Sequence, residues 1–242
     1  MIASPSPADS EGVRKFDPAR AGEYQAQSRI ALAGYDACHE LSACMLAAAI
    51  GTGGAAHILV AGAGGGAQEV LSAGALEPHW RFTAIDPSAP MLELAVAQVL
   101  RAGLAERTTF RLALVSDLPP EPQFDGATLI GVLHHLPGRE AKRAILADLA
   151  LRLKPGAPLI LAGNRFAYAE HPLLLKAWGE RWRMHGASAL EVEAKLGKIL
   201  QGADPPHSES EVAQLLDEAG FEPPTFFFSS LFWAASLSRR KM

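Results

Sequence analysis

Gly62, Gly64 and Gly66 occupy a short loop between an apolar run, His57 to Ala61, and a helical pattern. Asp86 closes the next apolar run, Phe82 to Ile85. Glycines let a backbone approach a ligand closely, and an acid at the end of the following strand can hold two ribose hydroxyls. Together they predict a site for a nucleoside-containing cofactor. A glycine-rich loop does not say which one, because dinucleotide-binding folds also use it. Here the spacing is Gly-x-Gly-x-Gly, without the Gly-x-x-Gly ending expected of a pyrophosphate loop. His134 and His135 follow the fourth strand, where strand ends face a ligand crevice, and one of them could act as general base toward an acceptor hydroxyl or amine. Asn164 and Arg165 end the fifth strand at the same edge. Asn164 could orient a substrate amine and Arg165 pair with a carboxylate, or both could cap a turn.

The elements that must position these groups follow from periodicity. Strands are expected at 57–61, 81–85, 108–114, 126–132 and 157–163, and helices at 67–76, 88–103 and 139–154, the last stopped by Lys154-Pro155-Gly156. This alternation predicts an α/β chain with a parallel sheet covered by helices on both faces. Before it, residues 18–50 hold two helical patterns broken near Gly34, the second, Tyr35 to Ile50, expected to be buried on most sides. After it, residues 169–200 read as two further helices, 208–219 as a helix ended by Gly220, and 224–229 and 231–238 as apolar strands. Residues 1–15 read as a flexible tail and 16–242 as one domain.

The chain has 242 residues, 49% apolar and 20% charged, with a net charge of −4. Its only basic block is Arg239-Arg240-Lys241, so neither a nucleic-acid groove nor a polybasic membrane patch is expected. Cys38 and Cys44 face different sides of a helix and are too few for a disulfide scaffold or a metal site, which fits a reducing cytoplasm. The first twelve residues lack the basic start and apolar middle of a signal peptide, and no apolar run spans a bilayer. A small-molecule substrate and a monomer or homodimer are expected.

Phe82 to Leu92, with Asp86-Pro87-Ser88, resembles the second motif of the S-adenosylmethionine (SAM)-dependent methyltransferases. Leu129 to Pro137, with His134-His135-Leu136-Pro137, resembles their fourth strand and turn, and Leu151 to Leu161 resembles their helix-to-fifth-strand junction. With the glycine loop, these stand in the order and spacing of the class I superfamily. The resemblance implies a Rossmann-like, mostly parallel seven-stranded sheet with an antiparallel final pair, an N-terminal helical lid (18–50) and an inserted helical cap (169–200). It implies SAM as cofactor, as methyl donor or sole substrate, with binding residues Tyr35, Gly62, Ala63, Gly64, Gly66, Asp86, Pro87, Met91, Leu114, Val115 and Ile130. It makes His134, Asn164, Tyr168 and Tyr24 the catalytic candidates, Tyr168 as part of a cation-π cage for the sulfonium and Tyr24, with Arg29, on the lid. Trp178 and Trp182 read as lid packing, Phe226, Phe227, Phe228, Phe232 and Trp233 as core strands, and Glu69 as solvated.

Phe16-Asp17, Gly34-Tyr35, Ser188-Ala189-Leu190-Glu191 and Ala219-Gly220-Phe221 resemble the carboxy-SAM synthase branch. That branch holds its extra carboxylate with an arginine, and here Leu196 takes that position. Three further positions depart from the superfamily pattern. Val60 replaces the acid that helps hold the methionine ammonium, Leu114 replaces the adenine-side Asp, and Ile130 stands where the carboxy-SAM branch has a polar Asn. Losing a carboxylate beside an amine lowers the amine's pKa and makes it a nucleophile. Three functions follow: methyl or related alkyl transfer to a small molecule, in secondary metabolism; a SAM-cyclising lyase, in which the SAM amine attacks its own γ-carbon to give azetidine-2-carboxylate and methylthioadenosine; or a non-catalytic SAM-binding module.

Overall fold

A computed structural model describes residues 21–242, with side chains from residue 26. The expected tail, Phe16 and Asp17 lie outside the described residues. The sheet contains β1 (His57–Ala61), β2 (Arg81–Asp86), β3 (Thr108–Leu112), β4 (Gly126–Ile130), β5 (Pro158–Asn164), β6 (Thr225–Ser230) and β7 (Trp233–Arg239). Its order is β3-β2-β1-β4-β5-β7-β6. Strands β1 to β5 are parallel, and β7 runs antiparallel between β5 and β6. The central strands β1, β4 and β5 are buried almost throughout, as strands covered on both faces must be. The chain direction of sheet building reverses between β1 and β4, and open α/β sheets bind ligands at such a switch point.

Two strands stop earlier than the apolar runs predict. β3 ends at Leu112: the Ala113 N–H makes the last ladder bond, to the Asp86 carbonyl, and the Leu114 N–H then donates to the Asp117 carboxylate, opening a 3-10 turn. β4 ends at Ile130 because Gly131 adopts a φ of +76°, outside the strand region.

The helices are α1 (Ala21–Ala31), α2 (Tyr35–Ile50), α3 (Gln68–Leu76), α4 (Ala89–Arg101), α5 (Gly138–Arg152), α6 (Pro172–Met184), α7 (Ala189–Gly202) and α8 (Glu209–Glu218). One face of the sheet carries a core of Ile58, Val60, Phe82, Ala84 and Ile160 under Leu46, Val70 and Val99 of α2, α3 and α4. The other carries Leu59, Leu129 and Leu161 under Leu146, Leu149, Leu215 and Leu216 of α5 and α8. α2 is not buried on most sides. Only Cys38, His39, Ser42, Ala43, Leu46 and Ala47 turn inward, and Leu41 and Cys44 face solvent, so the helix is one cover of the sheet rather than a central rod. A third, smaller cluster joins Tyr168, Trp178, Trp182, Val192 and Phe232, tying the inserted pair α6–α7 to the β6–β7 turn and to Ile30 and Ala31 of α1. Among the described residues, no helix is long and apolar enough to cross a membrane.

Candidate functional site

Side chains alternate across a strand. Phe82 and Ala84, Ile58 and Val60, Ile130, and Ile160 and Ala162 all belong to the core beneath α2 and α3. The same alternation places Asp86, the loop at Gly62, Ile130 and Asn164 at the C-terminal ends of β2, β1, β4 and β5 on that one face. From Asp86 to Asn164 the row crosses three strand spacings, about 14 Å.

The Asp86 end is built from backbone. The N–H groups of Gly62 and Ala63 donate to the Ile85 carbonyl at 2.9 and 3.0 Å, folding the glycine turn onto the end of β2. Both Asp86 oxygens accept backbone N–H groups, Oδ2 from Gly64 and Oδ1 from Ser88, each at 2.9 Å. Burial raises the Asp86 pKa, and these two amides work against that rise. A carboxylate has about four acceptor sites, so the fixed group can still receive a pair of hydroxyls. Gly62 has no alternative here: its φ is +75°, and a Cβ would lie 2.3 Å from Val132 Cγ2. Gly64, at +54°, has open space where its Cβ would be. Met91 closes the turn from behind, its Sδ 3.2 Å from where a Gly65 Cβ would stand. Ala63 and Met91 are buried, Gly66 is half-buried, and Pro87 is exposed. Such a cradle, with an acid held at the strand end and an open glycine beside it, fits a nucleoside cofactor.

The other candidates on this side are spread more widely. Tyr35 opens α2, with its ring 4.3 Å from that of His39 and the Arg29 guanidinium 4.8 Å from its centroid. Arg29 also pairs with Asp36 at 2.7 Å. Leu114 is exposed just past β3, whereas Val115 is buried on the opposite side, among Leu59, Ile85 and Leu129. The Tyr24 side chain lies outside the described residues.

Glu69 overturns its sequence expectation. It is not solvated but 8% exposed, because it falls with Val70 and Ala73 on the inward face of α3. Burial, with the charge of Asp86 behind it, pushes its carboxyl up to about 8. Burial first, and the Glu69 carboxyl second, push the Cys38 thiol on α2 up to about 12. The helical spacing of Glu69 to Ala73 carried this signal, but a glutamate in a first turn reads by default as a solvated partner of the helix dipole.

The Asn164 end is built from side chains. Asn164 Nδ2 donates to the Tyr168 hydroxyl at 2.7 Å. Asn164 Oδ1 is buried with no hydrogen-bond partner. Burial raises the Tyr168 phenol to about 12, so it keeps its proton and can donate it. Phe166, between them, has a φ of +75°, a strained conformation for a bulky residue that holds Asn164 and Tyr168 on one side of the bend. His134 is buried, with its ring 5.4 Å from Trp233 and its Nδ1 accepting the Asn164 backbone N–H at 3.4 Å. A ring nitrogen engaged in that way supports the β5 backbone rather than an acceptor's proton; His135 is exposed.

Arg165 does not face a substrate carboxylate. Its Nε meets Glu209 at 2.9 Å, and its two terminal nitrogens meet the Trp233 carbonyl at 2.6 Å and Ser229 Oγ at 3.0 Å. It ties β5 to β7, β6 and the start of α8. Trp178 and Trp182 pack 5.4 Å apart in the cap, as expected, with Leu196 against the same cluster. The position that would carry a carboxylate-holding arginine is thus apolar. Phe232 is fully buried, while Phe226, beside a bulge in β6, is 37% exposed. Among the described residues no group of His, Cys, Asp and Glu is arranged to hold a metal ion.

Residues 59–159 match the family model of a methyltransferase domain. A solved 1,6-didemethyltoxoflavin N1-methyltransferase from Burkholderia thailandensis, with bound 1,6-didemethyltoxoflavin and S-adenosylhomocysteine, superposes with a TM-score of 0.62 at 22% identity, covering 100% of this chain and 93% of that one. A candidate O-methyltransferase from Nostoc punctiforme gives 0.66 at 13% identity, covering 92% and 61%. Mitomycin 7-O-methyltransferase gives 0.59 at 22%, covering 83% and 53%. An uncharacterized protein of a Synechococcus strain is 39% identical over 118 residues, covering 48% of this chain. The match spans only 26% of that relative's length.

Proposed function

We propose that the chain, whose residues 59–159 match the model of a methyltransferase domain, is a SAM-dependent enzyme that transfers the methyl group of SAM to a nitrogen or oxygen of a small molecule. The observation that carries this proposal is the row of strand ends. Asp86 stands at one end, the open glycine turn lies beside it, and the unpartnered Asn164 carbonyl with Tyr168 stands at the other. SAM supplies an electrophilic methyl on a sulfonium. Asp86 binds the ribose hydroxyls, and the Gly62–Gly64 turn lets the amino-acid side of the cofactor lie against backbone. Asn164 Oδ1 accepts the N–H or O–H of the acceptor and directs its lone pair at the methyl. Tyr168 Oη can donate to a second polar atom, and the Trp178–Trp182–Phe232 cluster excludes water above them. The acceptor gains the methyl and loses its proton to solvent as S-adenosylhomocysteine leaves. Leu196 favours methyl over carboxymethyl chemistry, since no guanidinium stands at that position. Cys44, free and exposed, fits a reducing cytoplasm.

A second reading rests on Val60, which is fully buried and leaves β1 without the acid that holds the SAM ammonium. In a SAM-cyclising lyase the amine nitrogen bonds to its own γ-carbon. The γ-carbon–sulfur bond breaks, methylthioadenosine leaves, and the amine's proton goes to solvent. Incubation with SAM alone, read by mass spectrometry, tests both. Methyl transfer predicts intact SAM until a nucleophilic small molecule is added, and then S-adenosylhomocysteine. Methylthioadenosine and a ring amino acid formed without any acceptor would establish the lyase and end the transfer proposal.

A further inference from the structure

We infer that Glu69 is the anionic anchor for the α-ammonium group at the amino-acid end of the cofactor, in place of the acid that Val60 lacks. The inference rests on the SAM proposal above and adds a binding residue to it. Val60 is 0% exposed and apolar, so the end of β1 offers no charge to an ammonium. Glu69 follows the glycine turn directly, in the first turn of α3, on the buried side of that helix with Val70 and Ala73. More than nine-tenths of its surface is buried. Among the described residues it forms no ion pair, and the sole donor to its carboxyl is its own backbone N–H.

A buried carboxyl without a cation is costly, and removal from water next to a second carboxylate favours its neutral form. A ligand ammonium relieves both penalties together: it supplies the missing counter-charge and a charge-assisted hydrogen bond. Asp86 is the weaker candidate for that task, since two backbone amides already orient it toward the ribose. Cys38, the other titratable group facing Glu69, is neutral and offers no charge. An ammonium paired with Glu69 keeps its proton and is no nucleophile, so the anchor also works against cyclisation.

Calorimetric titration of the whole chain with S-adenosylhomocysteine and with methylthioadenosine tests the anchor, because methylthioadenosine keeps the nucleoside and lacks the amino acid. Glu69→Gln should weaken S-adenosylhomocysteine at least 10-fold and leave methylthioadenosine within 2-fold. Glu69→Asp, which keeps the charge, should lose less. Equal binding of S-adenosylhomocysteine by wild type and Glu69→Gln would overturn the anchor alone, as would an equal loss for both ligands. Wild-type protein that binds neither nucleoside overturns the SAM proposal and the anchor with it.

Discussion

The two ends of the strand-end row are made of different materials. Around Asp86 the groups proposed to meet the cofactor are peptide groups and one carboxylate, held by amides no more than 22 residues away in sequence. Around Asn164 they are side chains, brought together by contacts between β5, the single turn at Tyr168–Glu170, the cap and the β6–β7 turn. A backbone cradle has one shape and fails when a Cβ is added. A side-chain constellation can exchange its chemistry while the scaffold stands, and this is the end where a fold shared by many methyltransferases can vary its acceptor.

The sharpest way to break the comparison is Gly62→Ala. A left-handed φ costs a side chain about 1–2 kcal/mol, and overpacking against Val132 costs about 1–3 kcal/mol more. Denaturant unfolding should therefore show a loss of about 2–5 kcal/mol. A loss below about 1 kcal/mol would mean that the turn is not the rigid part.

Next in size is Arg165→Met. It leaves the Trp233 carbonyl without that donor and should cost about 1–3 kcal/mol of stability, while S-adenosylhomocysteine affinity stays within 2-fold. Weakened binding at unchanged stability would instead assign Arg165 to the site.

The third test is a pH dependence. The Glu69 carboxyl is raised from 4.5 to about 8 in the folded chain. The folded state therefore holds that proton more tightly than the unfolded state. The stability this brings is complete below 4.5 and is lost as pH rises toward about 8. Thermal unfolding without ligand should fall across that window in wild type and fall less in Glu69→Gln. Parallel curves for the two proteins would remove Glu69 from the titrating groups.

The backbone end was legible in the sequence because its signals are local. Glycine spacing, an acid after an apolar run and the alternation of strands and helices all lie within a few tens of residues, and the sheet order follows from them. The side-chain end was legible only as a set of separate candidates. Asn164 and Tyr168 were each visible, but nothing in their spacing says that one donates to the other while its carbonyl goes unpartnered. Arg165 looked able to meet a substrate because its three partners lie 44 to 68 residues away. Glu69 misleads for the opposite reason: its position in a first turn is local information, and its burial in the fold is not.

One clasp joins the first and last thirds of the chain. The closing carbonyls of α1, on Arg29, Ile30 and Ala31, receive their hydrogen bonds from Arg181 and Trp178 of α6, some 150 residues downstream. An 11-residue helix has little stability of its own in water. Its last turn is therefore completed by the cap, and the two segments form one cooperative unit. In amide hydrogen exchange, α1 and α6 would share one opening free energy, and ordering of the cap by an acceptor would be felt as protection at the other end of the polypeptide.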